Sequence, residues 1–324
     1  MKICLLLSTL LAVGLTAIRQ TESPRSGGGT PGVTVGPSTI VPVPDSTTWI
    51  EMRNVDLRVT PTTVLHVRRL HGQVISTSGA PPFLDDTKSF TIRITRGSVA
   101  LSGDELSVLL NTFVFGYPVS PLKRLRVRFA GSQIVQTGVM HKGVDLPFEI
   151  TASLSLTPEG LVRIHPTRIR MLGIDGAALL HAIGLHLDNL LDLSKAHGAS
   201  VRGDDLYLDP AALTPPPAII GRVAAIRIDG AVLVQDFARL PEDTVFDRVI
   251  HPDSTVPNFV YFRGGQLRFG KLLMHDTDLL IVDGDPSDPF DLYLSRYTRQ
   301  LIAGTSHTLE GLGVQVVMPD YHRL

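Results

Sequence analysis

The sequence predicts an α+β protein: long, curved antiparallel sheets wrapped around amphipathic helices, with a β-rich part toward the C-terminus. Three observations carry that expectation. First, Leu146, Phe148, Ile150, Ala152, Leu154 and Leu156 alternate with Glu149, Thr151, Ser153 and Ser155, which is the period of a strand with one buried face. Second, alternating runs are separated by breaks at Gly131, Gly143 and Gly160, as tight antiparallel turns require. Third, two segments switch to helical spacing, one through Leu106, Leu109, Leu110 and Phe113 and one through Leu179, Leu180, Ile183, Leu187, Leu190 and Leu191.

With 324 residues, 43% of them hydrophobic and 19% charged, the chain can bury a large core in one extended domain or two smaller ones. Thirty basic residues face 31 acidic ones, so no global field draws the protein to nucleic acid, and no nucleic-acid partner is expected. Met1 and Lys2 precede an apolar run from Ile3 to Ala17, followed by Arg19. That is the layout of a secretory signal, and the run is short for a stable membrane span. Residues 1–17 are therefore expected to be a signal peptide or an uncleaved anchor, placing the protein in the periplasm or outside the cell, free or tethered. The one cysteine, Cys4, falls inside this run, so loss of the segment would leave a mature chain without disulfide, thiolate metal site or cysteine nucleophile. Residues 18–48 are rich in Gly, Pro, Ser and Thr and read as a flexible linker. Folded sequence is expected at 49–214, with a β-rich lobe at 215–324 that either stands apart or continues it.

Taken in order, strands are predicted at Ile50 to Val59, Val64 to Ser76 and Phe90 to Leu101. Ser102 and Glu105 then form the S-x-x-E capping box of a helix carrying Leu106, Leu109, Leu110 and Phe113 inward, and Gly116 and Pro118 end it. A four-stranded meander follows: Leu122 to Phe129, Gln133 to His141, Val144 to Leu156 and Leu161 to Met171. Asp175 opens the leucine-rich helix, and Val201 to Leu208 returns as a strand. Beyond Pro215-Pro216-Pro217, strands at Ile219 to Ile228 and Ala231 to Phe237 flank an Asp229-Gly230 hairpin turn. Gly264-Gly265 is read as the turn joining Phe259 to Phe262 with Gln266 to Met274, and Asp278 to Val282 is a further strand. A helix is expected from Pro289 to Ala303, then a last strand at Val314 to Val317.

The chemistry inventory is sparse. There is no G-x-S-x-G elbow and no H-E-x-x-H. His181 and His186 are five apart on a helix, roughly 140° around it, and make poor joint ligands. The acidic run Asp276, Asp278, Asp283, Asp285, Asp288 and Asp291 offers a weak metal candidate in Asp283, Asp285 and Asp288, without the spacing of an EF-hand. Helix capping by Asp288, with Asp291 in the first turn, is the simpler account. Arg124, Arg126 and Arg128 share a strand face opposite Leu125, Val127 and Phe129. They suit either a headgroup-binding membrane contact or, more simply, a solvated sheet face.

Residues 90–214 resemble bacterial envelope proteins of the tubular lipid-binding (TULIP-like) type, including the DUF2993 group. The resemblance rests on Val99-Ala100-Leu101-Ser102-Gly103-Asp104-Glu105-Leu106 leading into a helix, the long meander, Ile174-Asp175-Gly176 before the leucine helix, and Gly203-Asp204-Asp205-Leu206-Tyr207-Leu208-Asp209-Pro210. It implies a non-catalytic carrier or sensor, without cofactor, that encloses a lipid or another long apolar molecule. The cavity lining would then be Leu106, Leu110, Phe113, Phe148, Ile150, Leu180, Ile183, Leu187 and Leu191. A structural or protein-interaction module with a filled core is the alternative.

Overall fold

Strand-forming alternation opens the folded chain of the computed structural model, which describes residues 47–171, 174–175, 192–245, 256–309 and 313–324. The predicted signal or anchor, nearly all of the linker, the helical stripe with Leu180, Ile183, Leu187 and Leu191, and the pair His181 and His186 lie outside the described residues. Everything described falls within one compact unit, Pro42–Leu324. The protein is β-rich, 58% strand against 13% helix, so helices are minor partners of a curled antiparallel half-barrel sheet.

Strands β1 (Thr48–Thr60), β2 (Thr63–Ser76) and β3 (Phe90–Ser102) form an antiparallel meander, matching the three predicted strands. In β1 the buried apolar series changes phase at Asn54, from Ile50 and Met52 to Val55, Leu57 and Val59. Asn54 takes a left-handed φ of 49°, a conformation asparagine tolerates better than most residues. Ser102 then caps helix α1 (Gly103–Leu109), with both halves of the predicted capping box formed. A π-helical turn, Leu110–Val114, continues it.

The next strands build a seven-stranded sheet of their own: β4 (Leu122–Ala130), β5 (Gln133–Lys142), β6 (Val144–Leu156), β7 (Val162–Met171), β8 (Ile174–Asp175), β9 (Ala199–Arg202) and β10 (Asp205–Leu208). The meander is as predicted, but the strand expected over Val201 to Leu208 is a hairpin. Gly203 adopts a φ of 58° between Arg202 and Asp205, so glycine reverses the chain where alternation alone suggested continuity.

After this sheet the chain returns to the first one. Here β11 (Ala218–Ile220) pairs parallel with β3, β12 (Val223–Asp229) and β13 (Val232–Phe237) form the predicted Asp229-Gly230 hairpin, and β13 joins β3. On the other side β14 (Phe259–Phe269) pairs with β1 and with β15 (Leu272–Asp283). The predicted turn at Gly264-Gly265 is a correction: both glycines lie inside β14, and the hairpin reverses at Gly270-Lys271. Gly265, at a φ of 54°, would place a Cβ 2.6 Å from the Thr48 backbone nitrogen, so the glycine admits a neighbouring backbone.

The helix expected from Pro289 is also corrected. Its first half is β16 (Phe290–Tyr293), paired parallel with β1 and buried on both faces, and only Tyr297–Ala303 (α2) is α-helical. Strands β17 (Thr305–Thr308) and β18 (Val314–Met318) close the eleven-stranded sheet, β18 running parallel to β15. The seven-stranded sheet is thus an insertion between β3 and β11.

Two large apolar clusters result, beside a small one of Phe259, Tyr261 and Leu280. One fills the eleven-stranded sheet around Ile50, Met52, Leu70, Ile92, Phe262 and Phe290. The other covers the inner face of the seven-stranded sheet. Helix α1 serves both, because residues four apart stack along one side of a helix. Leu106, Leu110 and Val114 enter the second cluster, while Leu109 and Phe113 pack on the first.

Candidate functional site

A third side of α1 holds the insertion in place. Gly103, Ser107 and Asn111, again spaced by four, face the outer edge of β4. Ser107 Oγ accepts from the Val127 N–H at 2.7 Å, Asn111 Oδ1 accepts from the Leu125 N–H at 2.9 Å, and Asn111 Nδ2 donates to the Leu125 carbonyl at 2.7 Å. A Cβ on Gly103 would lie 2.4 Å from the Val127 carbonyl oxygen, so the close approach requires glycine. The helix thereby covers a sheet edge that would otherwise present unpaired backbone groups.

This docking sets one side of the second apolar cluster. Leu106 and Leu110 meet Phe148 and Ile150 in a single cluster, so four of the predicted lining residues come together. Phe113 does not join them. It lies one turn beyond Leu109 on the neighbouring stripe and packs on the other cluster. All six apolar residues of β6, from Leu146 to Leu156, belong to this cluster, as their alternation requires. Phe148 and Ala152 are buried, whereas Leu146, Ile150, Leu154 and Leu156 stay half-exposed, as does Met171 beside them. The Ile226 and Ile228 side chains of β12 pack on the same cluster. An enclosed cavity exists elsewhere, within the eleven-stranded sheet between Met52, Leu65, Ile92, Leu109 and Phe237. Its volume of about 40 Å³ fits a few water molecules at most.

Arg124, Arg126 and Arg128 are all exposed on the outer face of β4, with Arg124 in a left-handed conformation at a φ of 53°. Arg124 approaches Asp145 at 3.9 Å, and Arg128 and Arg170 approach Glu149 at 3.8 and 3.6 Å. Such solvated pairs are worth at most about 1 kcal/mol each.

A second constellation lies where β15, β16 and β18 meet. The parallel register that sets Asp283 beside Met318 brings the loop of Asp283, Asp285 and Asp288 against Asp320 and His322. Asp283 accepts from Asn258 Nδ2 at 2.9 Å and from the Asp285 N–H at 2.8 Å, and burial pushes its carboxyl above the usual range. Asp285 is paired with Arg323. Asp291, predicted to sit in a helix, is a buried strand residue that takes both Nε and Nη2 of Arg58, at 3.1 and 2.8 Å. Asp288 likewise caps no helix. One of its carboxylate oxygens and one of Asp320's are buried without a hydrogen-bond partner. Asp320 is fully buried, and desolvation, reinforced by Asp283 and Asp288, raises its pKa to about 6. Asp276 and Asp278 stand apart, the latter bound to Arg263 and Tyr261. Nothing local in the sequence ties Asp320 or His322 to the acidic loop; only the strand pairing does. An open groove of about 320 Å³ runs past Asp320, Arg323, Gly284 and Gly304.

No protein-family model, curated protein or solved structure matches the chain.

Proposed function

We propose that the protein is a non-catalytic binding protein of the cell envelope that holds a lipid acyl chain, or another long apolar molecule, against the inner face of the seven-stranded sheet. The observation that carries this reading is the half-exposed run Leu146, Ile150, Leu154, Leu156 and Met171, which continues the buried cluster without being fully covered. An apolar face that is only partly covered can receive an apolar ligand, since ligand sites are lined mainly by such side chains. The about 40 Å³ cavity is far below the several hundred Å³ that ligand pockets need, and it is not the proposed ligand site. Localisation to the envelope rests on the Met1 to Ala17 segment, and the arginine face would meet anionic headgroups.

Native mass spectrometry and solvent extraction of the purified protein test this directly. Co-purifying acyl species are expected, and their repeated absence would leave the filled-core interaction module as the better account. Ile150→Trp should fill the proposed site and deplete the bound species while leaving the melting temperature within a few degrees. Undiminished acyl content in that variant would place the ligand elsewhere.

A further inference from the structure

We propose that Asp288, Asp320 and His322 bind a divalent transition-metal cation of the zinc or manganese class. One ligand atom from each of the three lies within 4.8 Å of the others, a spacing that a single ion can bridge. At this cluster, among the described residues, Asp288 Oδ1 and Asp320 Oδ2 are buried without a hydrogen bond, and Asp320 is completely enclosed. A buried carboxylate oxygen without a donor is costly, and a cation supplies what the protein does not.

The charges already present are insufficient. Asp283, Asp285, Asp288, Asp291 and Asp320 gather here, and the guanidinium groups beside them are those of Arg58 and Arg323. Arg58 is committed to Asp291. Arg323 is directed at Asp285 and stands 3.6 Å from Asp320 and 3.7 Å from Asp288, beyond hydrogen-bonding distance of both orphaned oxygens.

The donor set decides the metal class. An imidazole with two carboxylates suits zinc or manganese, whereas calcium and magnesium prefer all-oxygen sites. Asp291 Oδ2 lies 3.1 Å from His322 Nδ1, the carboxylate–imidazole pairing that orients metal-bound histidines and leaves the other ring nitrogen for the ion. An open groove lined by Asp320 and Arg323 runs beside the cluster, and exposed His322 faces solvent.

Isothermal titration of the chelator-stripped full chain with zinc chloride or manganese chloride should give one saturable equivalent and a raised melting temperature. Asp320→Asn should abolish it. Because that variant also alters the acceptor for the Asp291 N–H, His322→Ala, an exposed position, is the cleaner test: it should fold normally and weaken binding by about tenfold or more. Absence of a saturable equivalent, unchanged affinity in His322→Ala, or equal affinity for calcium and magnesium would each overturn the assignment. None of these readouts depends on an apolar ligand.

Discussion

Replacing Asn111 with alanine removes the central clamp between α1 and the edge of the inserted sheet. Three hydrogen bonds disappear: Nδ2 to the carbonyls of Ser107 and Leu125, each 2.7 Å, and Oδ1 from the Leu125 N–H, 2.9 Å. A net contribution of about 1 kcal/mol per bond gives about 3 kcal/mol. The Leu125 backbone groups left behind lie beneath a half-exposed side chain, so water can partly replace the lost partners and the total should not rise far above that figure. Urea denaturation followed by circular dichroism measures it. Thr112→Ala is the control, since its exposed hydroxyl only back-bonds to Val108 within the helix and should change stability by less than about 0.5 kcal/mol. Asn111→Asp retains the acceptor for Leu125 and should fall between the two. If Asn111→Ala unfolds within about 0.5 kcal/mol of the parent protein, the clamp is not what docks the helix.

Other perturbations read neighbouring parts of the same framework. His66 lies 2.7 Å from Asp56 and 3.2 Å from Glu105, and these hydrogen bonds raise its pKa from 6.5 to about 10. Its stabilisation is therefore complete below about pH 6.5 and is lost as pH rises through about 10. With solvent screening the loss should be about 1–2 kcal/mol, and His66→Gln should flatten this stretch of the stability–pH curve. Gly103→Ala should lower the melting temperature markedly, because its methyl group would collide with the Val127 carbonyl; an unchanged melt would mean that α1 can lift from β4 at little cost. Arg58→Met removes the two-pronged partner of the buried Asp291 carboxylate, leaving it only His322, and should cost about 3 kcal/mol by chemical denaturation; a loss under about 1 kcal/mol would show that Asp291 is satisfied without it.

Local, periodic features of this chain were legible in its sequence. The β6 face from Leu146 to Leu156 alternates without interruption, and the Ser102–Glu105 capping box is complete within four residues, so neither depends on distant partners. Features decided by distant partners were not. Gly264-Gly265 carries the signal of a turn, but the pair lies inside a strand whose register with β15 is unbroken, where Thr47 and Thr48 approach closely. Asp288-Pro289 carries the signal of a helix start, yet pairing with β1 draws Phe290–Tyr293 into a strand whose side chains are buried on both faces. The candidate sites divide along the same line. Leu106, Leu110, Phe148 and Ile150 share one cluster, whereas Phe113 packs on the other, because α1 and its continuation carry two apolar stripes where the sequence suggests one. Asp320 and His322 gain meaning only from the parallel pairing of β15 with β18.

The insertion topology gives α1 a role that neither sheet has alone. The strands that complete the first sheet come from both sides of the insertion, so the eleven-stranded sheet closes only after the seven-stranded one has been traversed. Between them α1 offers Leu109 and Phe113 to one core, Leu106, Leu110 and Val114 to the other, and Gly103, Ser107 and Asn111 to the β4 edge. A shift of this helix must therefore disturb both cores and the edge hydrogen bonds together. Occupancy of the proposed apolar site would act on the Leu106 and Leu110 side of that shared element. Leu109, fully buried on the opposite side, is then the residue through which ligand in the insertion would be felt by the larger sheet. Truncating it to alanine should cost about 2–5 kcal/mol, and ligand should recover part of that loss only if the two cores are energetically joined through α1.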